Sequence, residues 1–173
     1  YLKSANIVTA LEFERILSAT GPYEGHLYRP SDQSAPKKIA FIQCVGSRDK
    51  QHDYCSSICC MYATKEAIIA KEHSHEPLEC HIYYMDVRAF GKGFDEYYER
   101  AKELGIKYIP SRPSAVEPVE ETGNALVEYV SEDGSVKHAE YDMVILSTGV
   151  IPSESVQEIR DVFDVRFNKY DFC

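Results

Sequence analysis

Ile39-Ala40-Phe41-Ile42-Gln43-Cys44-Val45-Gly46-Ser47-Arg48 is the stretch that decides how the chain is read. Four apolar residues in a row, led in by Lys37-Lys38, carry the signature of a buried strand. The turn that ends the strand has one glycine, and a cysteine stands where the strand stops. A polar loop runs from Asp49 to Tyr54. A helix is then expected from Ser56 or Ser57 to about Lys71. Ile58, Met61, Tyr62, Ile68 and Ile69 supply its apolar positions, and Ala63, Ala67 and Ala70 raise its propensity.

Working outward, His81–Met85 reads as a second strand. Phe94, Tyr97, Tyr98, Ala101 and Leu104 mark a second helix, stopped by Gly105. Ile106–Ile109 is a third short strand before Pro110. Ala125–Val130 and Ser135–Tyr141 flank Glu132-Asp133-Gly134, a hairpin signal. Met143–Leu146 is another buried strand, and Val156, Ile159, Val162 and Phe163 suggest a last amphipathic helix. Upstream, residues 7–18 read as a short helix with Thr9 and Glu12 at capping-box spacing, and Ser31–Pro36 as a connector. The order strand–helix–strand–helix–strand, hairpin, strand predicts an α/β fold. It is a small open sheet with an antiparallel excursion, as in the pyridine-nucleotide domain of two-dinucleotide flavoenzymes.

The 173 residues suffice for one domain with a proper core. A net charge of −9 without a basic block excludes a nucleic-acid binder, which needs cations to release counterions. The longest apolar runs are strand-sized, so no membrane insertion is expected. No secretory signal opens the sequence, which starts at Tyr1 and reads as a piece of something larger.

In a dinucleotide domain the turn after the first strand carries G-x-G-x-x-G, so that backbone approaches a pyrophosphate. Gly46 alone does not make that fingerprint. What replaces it is C-x10-C-x3-C-C: Cys44 at the strand end, Cys55 before the helix, Cys59 and Cys60 in its first turns. Four of the six cysteines fall within 17 residues, which points to metal or redox chemistry rather than a disulfide framework. Adjacent helical residues point about 100° apart, so Cys59 and Cys60 suit different irons of one cluster and fit a disulfide badly. A helix amino end lowers thiol pKa values and offers N–H donors, with Arg48 and Lys65 as further positive charge. A four-cysteine iron–sulfur cluster, a structural zinc, and buried or thiol-redox cysteines all remain open on spacing alone.

Several residues are weighed beside that constellation. Asp86, ending the second strand, stands where an acid could hold a ribose, but reads better as a cap or loop residue. Arg88 suits a flavin phosphate, a partner or a carboxylate, and Gly91-Lys92-Gly93 reads as an ordinary loop. His52 reads as a surface-loop histidine, Cys80 as core, and Cys173 as unpaired. The Asp164–Cys173 stretch has no assignment.

Gln43-Cys44-Val45-Gly46-Ser47-Arg48-Asp49, Tyr54-Cys55-Ser56 and Cys59-Cys60-Met61-Tyr62 resemble the A subunit of the heterodisulfide reductase family. Tyr84–Phe94 and Thr9–Arg15 extend the likeness, and a related subunit of a quinone-interacting membrane-bound oxidoreductase is similar. The resemblance implies a thioredoxin-reductase-like flavoprotein core with FAD, and a 4Fe–4S cluster on Cys44, Cys55, Cys59 and Cys60. It implies an oxidoreductase active in flavin-based electron bifurcation in methanogens, cytoplasmic, with further subunits of the same reductase as partners. Electrons would come from a hydrogenase or formate dehydrogenase and go to ferredoxin and the CoM–CoB heterodisulfide. Thr148 and Gly149 resemble the strand-loop that returns toward the FAD domain. Residues 1–36 then read as a connector from an FAD domain, 37–152 as a degenerate nucleotide-binding-type domain with the cluster, and 153–173 as a return segment. The FAD fingerprint and ferredoxin-type C-x2-C-x2-C runs are absent from these residues, so the piece alone is not expected to catalyse.

Overall fold

A computed structural model describes residues 4–173; the first three residues of the expected 1–36 connector lie outside the described residues. One sheet has five parallel strands in the spatial order β1 (Ile7–Thr9), β8 (Met143–Thr148), β2 (Lys38–Val45), β3 (Glu79–Tyr84) and β4 (Lys107–Pro110). A second, antiparallel sheet holds β5 (Ala115–Pro118), β6 (Ala125–Val130) and β7 (Val136–Tyr141). The helices are α1 (Ala10–Leu17), α2 (Cys59–His73), α3 (Phe94–Glu103) and α4 (Val156–Phe163).

The continuous apolar run of β2 is buried on both faces because each face has its own cover. Ile39 and Phe41 pack with Phe13 of α1 and Ala63, Ala67 and Ile68 of α2. Ala40 and Ile42 pack on Ala125, Val127 and Tyr141 of the antiparallel sheet. Tyr83 and Val144 join that second face, while Ile82, Met143 and Ile145 join the first. The architecture is therefore three-layered: helices, parallel sheet, antiparallel sheet. This is the expected open α/β fold of the pyridine-nucleotide type with its antiparallel excursion.

Two short strands differ from the sequence reading. Ile7–Thr9, expected as helix, pairs in parallel with Val144–Leu146 at the sheet edge. The helix begins at Ala10 behind a complete capping box: Glu12 N donates to Thr9 Oγ1 at 3.3 Å, and Thr9 N donates to the Glu12 carboxylate at 2.7 Å. β5 extends the hairpin by a third strand, pairing Ala115–Pro118 with Ala125–Glu128. The fully buried Asn6 amide ties the Ser31 segment to the β5–β6 turn. It donates to Ser31 Oγ and Gly123 O at 2.8 Å each and accepts from Ser31 N at 3.1 Å.

Phe41 is completely buried and meets Phe13 edge-on at 5.6 Å between ring centroids. Removing the ring leaves a cavity under both α1 and α2. Phe41→Ala is expected to lose about 3–5 kcal/mol of unfolding free energy. A urea titration checks this as a lower midpoint with an unchanged slope.

Candidate functional site

The register between β2 and β8 shifts between Ile42 and Val45. Cys44 sits inside that irregularity with φ of 59°, a left-handed conformation that costs a residue with a Cβ roughly 1–2 kcal/mol. Ile42 faces the antiparallel sheet, and continued alternation would send Cys44 the same way. Instead its thiol meets that of Cys59 at the start of α2. Ser47 N donates to Cys44 O at 3.3 Å and Arg48 N to Tyr54 O at 3.1 Å, closing the loop on itself. Asp49 Oδ1 accepts from Gln51 N and His52 N at 2.9 and 2.8 Å, which fixes the loop tip.

The helix opens later than Ser56 or Ser57. Ser56 Oγ accepts from Val150 N at 2.9 Å, and Ser57 has φ of 62°. Cys59 and Cys60 are thus the first two residues of α2, both buried. Cys55 lies in the preceding loop, half-buried, its sulfur accepting from Ser57 N at 3.3 Å.

Cys44, Cys59 and Cys60 form one contact group. Hydrogen bonding to the Cys59 thiol, helped by the Arg48 guanidinium, lowers Cys44 to about 6 against the opposing effect of burial. Cys60 falls to about 7 through the Cys59 thiol and the Arg88 backbone N–H. Cys59, hydrogen-bonded to both sulfurs and desolvated, is pushed far up and holds its proton. Among the described residues no group of three or more His, Cys, Asp or Glu side chains surrounds a single ion position. The four thiols spread instead over a strand end, a loop and a helix start.

The other residues weighed from sequence fall as follows. His52 lies against Asp49 and Tyr54. Cys80 is core, and burial pushes its thiol up to about 12. Cys173 is exposed. Lys65 pairs with Glu14 of α1 at 2.9 Å. Thr148 and Gly149 end β8 against the cysteine loop: Tyr62 OH donates to Thr148 O at 3.1 Å, Gly149 N to Val45 O at 2.7 Å, and Tyr54 OH to Val150 O at 2.9 Å. A Cβ on Gly149 would stand 2.9 Å from both Gly46 O and Ser47 Cβ, so this close approach requires glycine. The C-terminal stretch, which sequence leaves without an assignment, lays Tyr170 and Phe172 on the Tyr54 ring at 4.6 and 5.5 Å between centroids.

The Thr148–Val150 turn also lines a cavity of about 360 Å³ between α1 and α2, with Leu11, Glu14, Tyr62, Lys65 and Glu66. Sequence reading misses Glu66, which sits at a helix position where a charged residue usually faces water. It is 2% exposed, and its Oε2 has no hydrogen-bond partner among the described residues. Burial, with the Glu14 carboxylate beside it, raises its carboxyl to about 8.

The fold and the site together define an α/β domain of the pyridine-nucleotide type in which cysteines occupy the phosphate turn. Over 92% of its length the chain is 48% identical to the second iron–sulfur A subunit of CoB–CoM heterodisulfide reductase from Methanopyrus kandleri. It is 45% identical, over the same share, to the A subunit of the H2:CoB–CoM heterodisulfide, ferredoxin reductase of Methanothermobacter marburgensis. Over 85% of its length it is 46% identical to the iron–sulfur A subunit of the CoB–CoM heterodisulfide reductase of Methanocaldococcus jannaschii. The chain belongs to the family of heterodisulfide reductase A subunits. It spans 25%, 25% and 23% of those relatives, about a quarter of their length. No family model matches it. Among solved structures, LpdA of Mycobacterium tuberculosis superposes with a TM-score of 0.45 at 12% identity, covering 84% of this chain and 28% of that one.

Glu66 makes stability depend on pH. Its carboxyl stays neutral in the folded chain up to about pH 8 but ionises near 4.5 when unfolded, so folding loses free energy as pH rises between those values. Each unit of difference is worth about 1.4 kcal/mol. Glu66→Gln is expected to match the parent near pH 4 and to exceed it increasingly up to pH 8–9, in urea unfolding at each pH.

Proposed function

We propose that the chain is the cluster-bearing, electron-relaying module of an FAD- and iron–sulfur-containing oxidoreductase, with a 4Fe–4S cluster held by Cys44, Cys55, Cys59 and Cys60. The observation that carries this reading is the left-handed turn at Cys44, which delivers a strand-end thiol to the cysteine pair opening α2. The donor set suits the group. It is all sulfur, two of the thiols ionise readily, and they lie at a helix amino end with Arg48 and Arg88 nearby. A cluster there would be held from a strand end, a loop and a helix start, by thiols of which Cys44, Cys59 and Cys60 already touch. When bound, it supplies one-electron exchange.

FAD belongs, in this reading, to the part of the subunit outside residues 37–152, with 1–36 and 153–173 leading from and to it. Thr148 and Gly149 would stand toward that part, beside a cavity lined by Leu11, by Glu66 and by Lys65 in its pair with Glu14. The relatives' names carry H2, formate, ferredoxin and the CoB–CoM heterodisulfide. We assign this chain to a flavin-based bifurcation with those reactants, fed by a hydrogenase or formate dehydrogenase and working in the cytoplasm with the other reductase subunits. No helix among the described residues is long and apolar enough to cross a membrane.

Anaerobic reconstitution with iron and sulfide tests the ligand set. The parent chain is expected to take up about four irons and four sulfides per chain and to give a reduced paramagnetic signal. Cys44→Ser, Cys55→Ser, Cys59→Ser and Cys60→Ser should each lose most of that iron, and Cys80→Ser should keep it. Stoichiometric zinc in place of iron, or no metal at all, overturns the reading in favour of a zinc or thiol scaffold.

A further inference from the structure

In nucleotide-binding sheets an acid at the end of the second strand holds a ribose. Asp86 stands at that position after β3, and its carboxylate is already engaged. Oδ1 is ion-paired with Arg48 from the cysteine turn, and Oδ2 accepts from Arg88 Nε and Nη2 at 3.3 Å each. The same segment touches the thiols through its main chain, where Cys60 Sγ donates to Asp86 O at 3.6 Å. Arg48 and Arg88 line one cleft with Cys55. Arg112 Nη1 donates to Arg48 O at 3.3 Å and holds the turn from the far side.

We propose that Arg48 and Arg88, held together and aimed by Asp86, form a charge clamp that raises the reduction potential of the cluster on Cys44, Cys55, Cys59 and Cys60; this rests on the cluster reading above. Two guanidinium groups bridged by one carboxylate leave one net positive charge beside four sulfurs, in a chain whose net charge is −9. Reduction adds a negative charge to the cluster. Nearby cations favour the reduced state, and most strongly where water is partly excluded. Arg48 and Arg88 side chains are 25% and 31% exposed, so screening is incomplete. Asp86 aims the arginines and is a positioning residue; its own carboxylate also acts directly on Cys44 and Cys60, in the direction opposite to the arginines.

The test is an EPR-monitored redox titration of the reconstituted chain. Arg48→Gln and Arg88→Gln are each expected to move the midpoint to more negative potential, and the double variant by about the sum. Arg48→Lys and Arg88→Lys should restore most of the shift, since they keep the charge. Lys107→Gln, an equal charge change on exposed β4, should leave the midpoint in place. Unmoved midpoints in both glutamine variants, or an equal shift in Lys107→Gln, overturn the clamp. A parent chain that takes up no iron–sulfur cluster overturns the underlying reading instead.

Discussion

Cys44 holds a left-handed backbone where β2 leaves the sheet, and the placement of the other thiols depends on that reversal. Both faces of β2 are occupied up to Ile42, by α1 and α2 on one side and by the antiparallel sheet on the other. A regular strand would bury the thiol against Val127 and Tyr141, remote from any helix end. The left-handed residue breaks the alternation and aims the sulfur at α2. Its cost of roughly 1–2 kcal/mol is offset by hydrogen bonds on either side, from Ser47 N to Cys44 O and from Gly149 N to Val45 O. Strain held by its surroundings at one residue is typical of functional sites.

The start of α2 shows the complementary departure. α1 has a full capping box and α3 carries Asp95 and Glu96 in its first turn. α2 has neither: Ile58 at its N-cap offers no polar side chain, and its first turn has no acid. Local stability rules are relaxed at that one helix end, leaving its N–H groups and positive dipole to the sulfurs. An Asp or Glu there would cap the helix better and repel thiolates.

Much of this was legible in the chain. The apolar run of β2, the capping box at Thr9, Gly105 closing α3 and the turn at Gly134 are local signals, and each appears where the pattern put it. β1 was not legible because Ile7 and Val8 run straight into the apolar pattern of α1, although Thr9 as N-cap already puts them outside the helix, and their strand pairing comes from β8 more than a hundred residues later. β5 was missed because its four residues end in Pro118 and owe their order to β6. The α2 boundary was misjudged because Ser56 looks like a cap, yet its hydroxyl accepts from Val150 N. The cysteines' spacing marked a site, but long-range partners fixed the role of its neighbours. Arg48 turned toward the thiols and Asp86, whereas Lys65 turned away to Glu14.

One turn of backbone joins the two sides of α2's amino end. Thr148–Val150 lines the cavity between α1 and α2 on one side, and on the other accepts from Tyr54 and Tyr62 and donates to Val45 and Ser56. Gly149 has no room for a side chain, so the turn cannot move off the cysteine loop without breaking these bonds together. A group seated in the cavity and a group on the sulfurs are therefore separated by main chain rather than by solvent or a mobile side chain. That is the fixed spacing which the proposed electron relay would use, and it follows from one glycine and two tyrosine hydroxyls.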